Sequence, residues 1–360
     1  MEQVQNHYNT TGLWYNEATM TRREAVINAL EHRDTRPVPW TIGLTGQAAD
    51  ALREIGKDKE VNDEFGSYIS SFYYDGWPQP VPGKPGFFKD DFGVIWNRNG
   101  ADKDIGVIDG FIMGSPETDS YEFPVIDKEK IRKGLESVLA QRGDRFFFAG
   151  FGFTLFERAW TLMGMENVLV YMIECPQALE EFLDRICDFW IRLIDIVLEY
   201  DIDGVHFGDD WGQQKGLIMG PAFWRCFIKP RIARLYARVK SKGKYVSQHS
   251  CGDCREIFPD LIEIGLDCYQ TFQPEIYPVT EMKKLYGDKI TFWGGVSTQQ
   301  CLPRMSAKEV QNEIVRLIKI LGEDGGLIIS PTHSVPQDVP PENILAMAEV
   351  FMNQEKFIVD

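Results

Sequence analysis

Residues 204–212 read GVHFGDDWG, and residues 245–252 read YVSQHSCG. Each begins as a short apolar run of strand length and then breaks into polar residues and glycine. Similar runs are expected as strands at 38–44, 146–153, 268–272, 290–293 and 327–330. Amphipathic stretches lie between them. Over 178–200, Leu179, Phe182, Leu183, Ile186, Phe189, Trp190, Leu193, Ile194 and Val197 recur at helical spacing. Over 302–321, Val310, Ile314, Leu317 and Ile318 do the same behind Pro303 and Ser306. Buried strands alternating with helices specify a parallel sheet with helices outside it. Roughly seven or eight such units predict a closed α/β barrel of the (β/α)8 TIM type, not an open doubly wound sheet. No G-x-G-x-x-G follows a strand, which removes the dinucleotide-binding alternative.

The rest of the chain bounds this expectation. It has 360 residues, 44% of them hydrophobic, enough for a large core. Residues 1–20 read as an N-terminal extension and 21–360 as one barrel domain. The segment 75–124 is the least regular. Its Trp77 and prolines at 78, 80, 82 and 85 predict extended loop, either a surface excursion or a cap over a site. A net charge of −16 opposes nucleic acid as a partner. No apolar run is long enough to span a membrane, and no apolar leader opens the chain. Seven cysteines, odd in number and unevenly spaced, fit reduced thiols and a cytoplasmic location.

In a parallel barrel, chemistry gathers where strands end. Asp209-Asp210 follows the run at 204–207, His249-x-Cys251 follows 245–248, and His333 follows 327–330. Imidazole and thiolate suit Zn²⁺, and a catalytic zinc keeps three protein ligands and one open position. His249, Cys251 and His333 meet that count, with Glu157 or an aspartate near the fourth position. The competing reading of His249 and Cys251 is a hydrogen-bonded histidine beside a small buried thiol. Adjacent carboxylates seldom both point inward, so one of Asp209 and Asp210 is expected at the site. His206, inside a strand, reads as a core histidine. Cys251-x-x-Cys254 is weak as a motif, and Cys254 is expected to begin a helix. The other cysteines read as packing. Trp40, Phe72, Tyr73 and Trp77 are candidates for an apolar slot, with core packing the alternative for most.

The stretches HFGDDWGQQKGLIMGPAFWRCFIKP, SQHSCGDCREIFPDLIEIGLDCYQTFQP, FWGGVSTQQ and SPTHSVPQDVPPENILAM, in that order, resemble the uroporphyrinogen decarboxylase superfamily. Weaker likeness runs from about Thr21 through FERAWTLMGMENVL. The resemblance implies a (β/α)8 barrel and either decarboxylation or corrinoid-dependent methyl transfer. The decarboxylases carry an arginine-bearing signature for substrate carboxylates. Here two of its arginine positions are Gly43 and Gln47, so bidentate carboxylate recognition is missing. The methyltransferase branch holds zinc with a motif resembling H-x-C and a later cysteine, and here the later position is His333. The resemblance therefore implies a zinc methyltransferase serving a corrinoid partner protein, with a small methylated donor such as a methoxylated aromatic. Glu157 and Asp209 or Asp210 would orient groups or move a proton. Transfer from a methylcorrinoid to a thiol or folate is one alternative. A metal-free decarboxylase or binding protein, in which His249 and His333 do not converge, is another.

Overall fold

The computed structural model describes residues 20–100, 103–117 and 121–358. All but Met20 of the expected N-terminal extension lies outside these residues. Seven parallel strands form one curled sheet: β1 (Ile69–Tyr74), β2 (Phe146–Phe151), β3 (Gly204–Gly208), β4 (Tyr245–His249), β5 (Cys268–Phe272), β6 (Thr291–Val296) and β7 (Leu327–Pro331). Spatial order follows sequence order, as in a barrel wound in one direction.

The eighth position differs from expectation. Residues 38–44 form no continuous strand, only parallel bridges at Trp40 and Leu44. Ile329 donates to Pro39 O at 2.9 Å, and Tyr68 just before β1 donates to Trp40 O at 2.9 Å. The segment thus spans the gap between β7 and β1. Pro37 and Pro39 lack backbone N–H groups, so a regular ladder cannot run through it.

β1 itself lies outside the strands expected from sequence. Ser71 and Tyr73 are exposed while Phe72 and Tyr74 are buried. A Cβ added at Gly150 of β2 would come within 2.5 Å of the Tyr73 ring, so Tyr73 lies across the glycines of the barrel interior. Phe72 and Tyr74 face the other way, and Trp77 packs on both, with centroids 5.9 and 5.0 Å away. Trp77 is therefore part of the outer layer, as is the Lys130 ammonium 4.4 Å above its ring.

The long helix Pro176–Val197 buries the nine apolar positions expected of it and opens on Pro176, whose missing N–H costs nothing there. The next expected helix splits. Cys301–Arg304 is a single turn, and Ala307–Leu321 starts behind a Ser306/Glu309 capping box. The irregular segment becomes a small antiparallel sheet of four short strands, Gln79–Pro80, Phe87–Lys89, Ile95–Asn97 and Val107–Ile108. Trp96 of this sheet packs 5.2 Å from Phe153, just past β2. A fully buried Arg158–Asp90 ion pair of 3.1 Å fastens the sheet to the helix Phe156–Met163. No helix among the described residues is long and apolar enough to cross a membrane.

Candidate metal centre

β4 ends on His249, and the chain turns at once through Ser250 to Cys254. This turn is fixed by its neighbours. Ser250 N–H donates to Gln270 O at 2.7 Å, and Cys251 N–H donates to Asp210 Oδ1 at 2.7 Å. Gly252 N–H donates to Gln273 Oε1 at 2.9 Å. Gly252 has φ +79°, and a Cβ there would lie 2.2 Å from the Gly212 carbonyl carbon. Only glycine fits that close approach.

The turn aims two ligand types at one place. His249 Nε2 stands 3.5 Å from Cys251 Sγ and 3.4 Å from Asp210 Oδ1. His249 Nδ1 bonds Gln270 Oε1 at 2.5 Å. An amide oxygen only accepts, so Nδ1 carries a proton, and Nε2, facing the sulfur, is the ring atom left to take a metal ion or a second proton. His333, on the exposed loop after β7, completes the set, with its ring centroid 6.0 Å from that of His249.

The ligand atoms of His249, Cys251 and His333 lie within 4.8 Å of one another. Three atoms that close share a point at most about 2.8 Å from each, near the bond lengths of 2.0–2.3 Å that zinc needs. Those bond lengths also imply a tetrahedral N···S edge of about 3.5 Å, the separation seen between His249 and Cys251. The donor set therefore fits a zinc ion. Burial opposes a charge on His249. The Cys251 sulfur and Asp210 carboxylate outweigh it and push the imidazole well above its ordinary pKa, so this point favours positive charge.

The structure separates the paired aspartates. Asp209 is buried and accepts from the amides of Leu155, Phe156 and Glu157 at 2.8–3.1 Å, and from Trp211 Nε1 at 2.6 Å. It caps the helix Phe156–Met163, although that helix has no cap from its own preceding residue. Burial pushes its pKa up to about 6 against these donors, leaving it ionised at neutral pH. Asp210 is half-buried and turned toward His249. Burial raises its pKa, but His249, the Cys251 amide and His333 hold it below the usual carboxylate value. Glu157, in the first turn of the capped helix, shows the opposite shift. Burial first, then Asp210 and Asp209, push it well above the usual value. The pKa values of Glu157 and Asp210 are thus pushed apart at the same mouth.

His206 lies deeper, its Nδ1 2.9 Å from Ser247 Oγ and its ring 6.4 Å from His249. Burial depresses its pKa to about 3, in keeping with a neutral core histidine. Cys254 begins the short turn Arg255–Ile257 and is buried, its thiol pushed up to about 12. Of the four slot aromatics, Tyr73 enters the barrel mouth. Trp40, Phe72 and Trp77 pack elsewhere. Sequence reasoning missed Gln270. Its signal was a lone amide in the middle of the buried strand CYQTF. Gly43, one of the missing arginine positions, lies beside Ser334, next to His333.

The family model described as Uroporphyrinogen decarboxylase (URO-D) matches residues 117–353. The chain belongs to the uroporphyrinogen decarboxylase family. Within the curated proteins, this URO-D family chain is similar to the methylated-thiol–coenzyme M methyltransferase of Methanosarcina mazei, at 24% identity over 193 residues. That match covers 53% of this chain and 49% of the relative, so it spans about half the length of that protein. A solved structure described as a methyltransferase from Methanosarcina mazei superposes with a TM-score of 0.70 at 17% identity. It covers 93% of this chain and 99% of the other, and it shows that the URO-D chain shares that fold.

Proposed function

We propose that this chain is a zinc-dependent methyltransferase of a corrinoid system. It takes a methyl group from a small methylated donor, a methoxylated aromatic in the first instance, and passes it to a corrinoid carried by a partner protein. The observation that carries this reading is the convergence of His249, Cys251 and His333 at the barrel mouth. The name of the Methanosarcina mazei relative supports methyl transfer as the reaction class. Convergence of the two histidines counts against the metal-free decarboxylase.

Zinc held by these three residues would act as a Lewis acid on the heteroatom that the methyl group leaves. The remaining work falls to the chain's own groups. Gln270 fixes the His249 tautomer, and Asp210 fixes the Cys251 amide, so neither ligand has to be ordered on binding. As the methyl–oxygen bond breaks, the leaving oxygen keeps the electron pair, and protonated Glu157 supplies it with a proton. Asp210 stays ionised and balances the positive site. The relative's name, which speaks of a methylated thiol and coenzyme M, favours a second reading in which a thiol takes part in the transfer, such as methylation of a thiol by a methylcorrinoid. The donor set of this chain, with one sulfur and two nitrogens, favours an oxygen leaving group instead.

The cobalt spectrum separates these directions. Donor-dependent loss of the Co(I) spectrum of an added corrinoid protein supports demethylation of a methoxylated donor. Thiol-dependent loss of methyl-Co(III), with no response to the donor, supports the reverse direction. Glu157 makes a further prediction. Its raised pKa means that the proton is present below that value and lost above it. The rate of donor demethylation should therefore fall as pH rises through the raised Glu157 pKa. Glu157→Gln should be about 100-fold slower, within the range for a lost general acid, and should lack that alkaline limb. An unchanged limb in Glu157→Gln would assign it to another group.

A further inference from the structure

The carbonyls on either side of Cys251 are held by two buried phenols. Tyr269 on β5 donates to Ser250 O at 3.0 Å. Tyr277, between β5 and the helix Val279–Tyr286, donates to Gly252 O at 2.7 Å and accepts Cys254 N–H at 3.0 Å. The two hydroxyls are 3.1 Å apart. Both side chains are fully buried, and Phe258 packs on both rings at 4.7 and 5.7 Å. Tyr277 also stacks on Phe272 at 5.4 Å. Burial pushes both phenols well above their usual pKa, so both are neutral donors throughout the working range.

Each hydroxyl has one hydrogen. Those two hydrogens go to the carbonyls before and after Cys251, and a Tyr277 lone pair receives the amide three residues past it. Asp210 holds the Cys251 amide from another strand end. With Gly252 pressed against Gly212, the cysteine has no backbone freedom left to place its sulfur elsewhere. The arrangement spends two buried tyrosines on a five-residue turn with a single side chain near His249 Nε2.

We propose that Tyr277, backed by Tyr269, is a positioning residue that sets where the Cys251 sulfur stands relative to His249 and His333, and so sets metal affinity. This rests on the metal centre under Proposed function. Tyr277→Phe keeps the ring and its packing but strands Gly252 O and Cys254 N–H in a dry interior. The turn then relaxes, and the sulfur leaves its 3.5 Å station beside His249.

The test uses the full-length protein with Zn²⁺ and Co²⁺ alone as probes. Zinc affinity is measured by competition with a chromophoric chelator, and the thiolate-to-Co(II) charge-transfer band is recorded. Tyr277→Phe should bind zinc about 10–100-fold more weakly, as for other outer partners of metal ligands, and should shift the band. Tyr286→Phe, whose ring packs on the same Phe258 at 5.4 Å, should change neither. If Tyr277→Phe does not accumulate folded, Tyr269→Phe should give the same signs with smaller size. A variant with a lowered melting temperature but zinc affinity within twofold of native, and an unmoved band, overturns the positioning role and leaves the metal centre intact. Failure of the native chain to bind zinc removes both.

Discussion

Cys251→Ser protein is expected to be purified nearly free of zinc and to transfer methyl groups at least about 100-fold more slowly than the native chain, since loss of even an outer partner costs 10–100-fold. Serine preserves the backbone of the turn. Its amide still donates to Asp210, and the side chain is nearly the same size. Only the ligand changes, from a soft sulfur donor that suits zinc to an alcohol oxygen that binds it poorly. His333→Ala should lose zinc as well, because two ligands do not make a closed or a catalytic site. The two variants should be similarly inactive, and combining them should add little, since both remove the same ion. Zinc is read by elemental analysis and transfer by the cobalt spectrum. A doubly substituted protein with full activity would sink the metal assignment.

Arg158→Leu is expected to lower stability by about 3–5 kcal/mol in urea unfolding, the cost of breaking a buried ion pair from one side. Arg158 is fully buried. Its guanidinium lies 3.7 Å from the Phe92 ring centroid, and it donates to Asp90 at 3.1 Å and to Asp75 O at 2.9 Å. Leucine leaves the Asp90 carboxylate in the core with only Val94 N–H and Trp96 Nε1 as donors. Burial already raises the pKa of Asp90, and Arg158 is the largest influence holding it down. Removing both charges in Arg158→Leu/Asp90→Leu should restore part of the loss, because no unpaired charge remains. An unfolding midpoint for Arg158→Leu equal to that of the native chain would contradict the role given to this pair. The same pair joins the small sheet to the helix that carries Glu157, so the single variant should also slow transfer.

The sequence made some of this legible and hid the rest for identifiable reasons. Strands β3 to β7 stand out because they are largely buried on both faces and carry no Asp, Glu, Lys or Arg. The His249-x-Cys251 pair stands out because both ligands come from one turn, and His333 because it ends another strand. β1 was hidden by Ser71 and Tyr73, which face the barrel interior and break the apolar run. The eighth position reads as a longer strand than it forms, because the apolar pattern of 38–44 masks Pro39, which with Pro37 just before it interrupts a regular ladder. Asp209 and Asp210 are identical side chains one position apart. Only the partner elements, three helix amides for one and His249 for the other, tell them apart. Gln270 and the Arg158–Asp90 pair depend on contacts between distant segments, which no local pattern encodes. Tyr269 and Tyr277 read as ordinary core aromatics until their hydroxyl partners are known.

Zinc K-edge absorption on the protein as purified probes the centre most directly. One zinc per chain is expected, with a single sulfur neighbour at about 2.3 Å and nitrogen or oxygen neighbours at about 2.0–2.1 Å. The sulfur shell should vanish from any zinc retained by Cys251→Ser. An active protein without stoichiometric zinc, or a zinc shell containing two sulfurs, would contradict the site built from His249, Cys251 and His333.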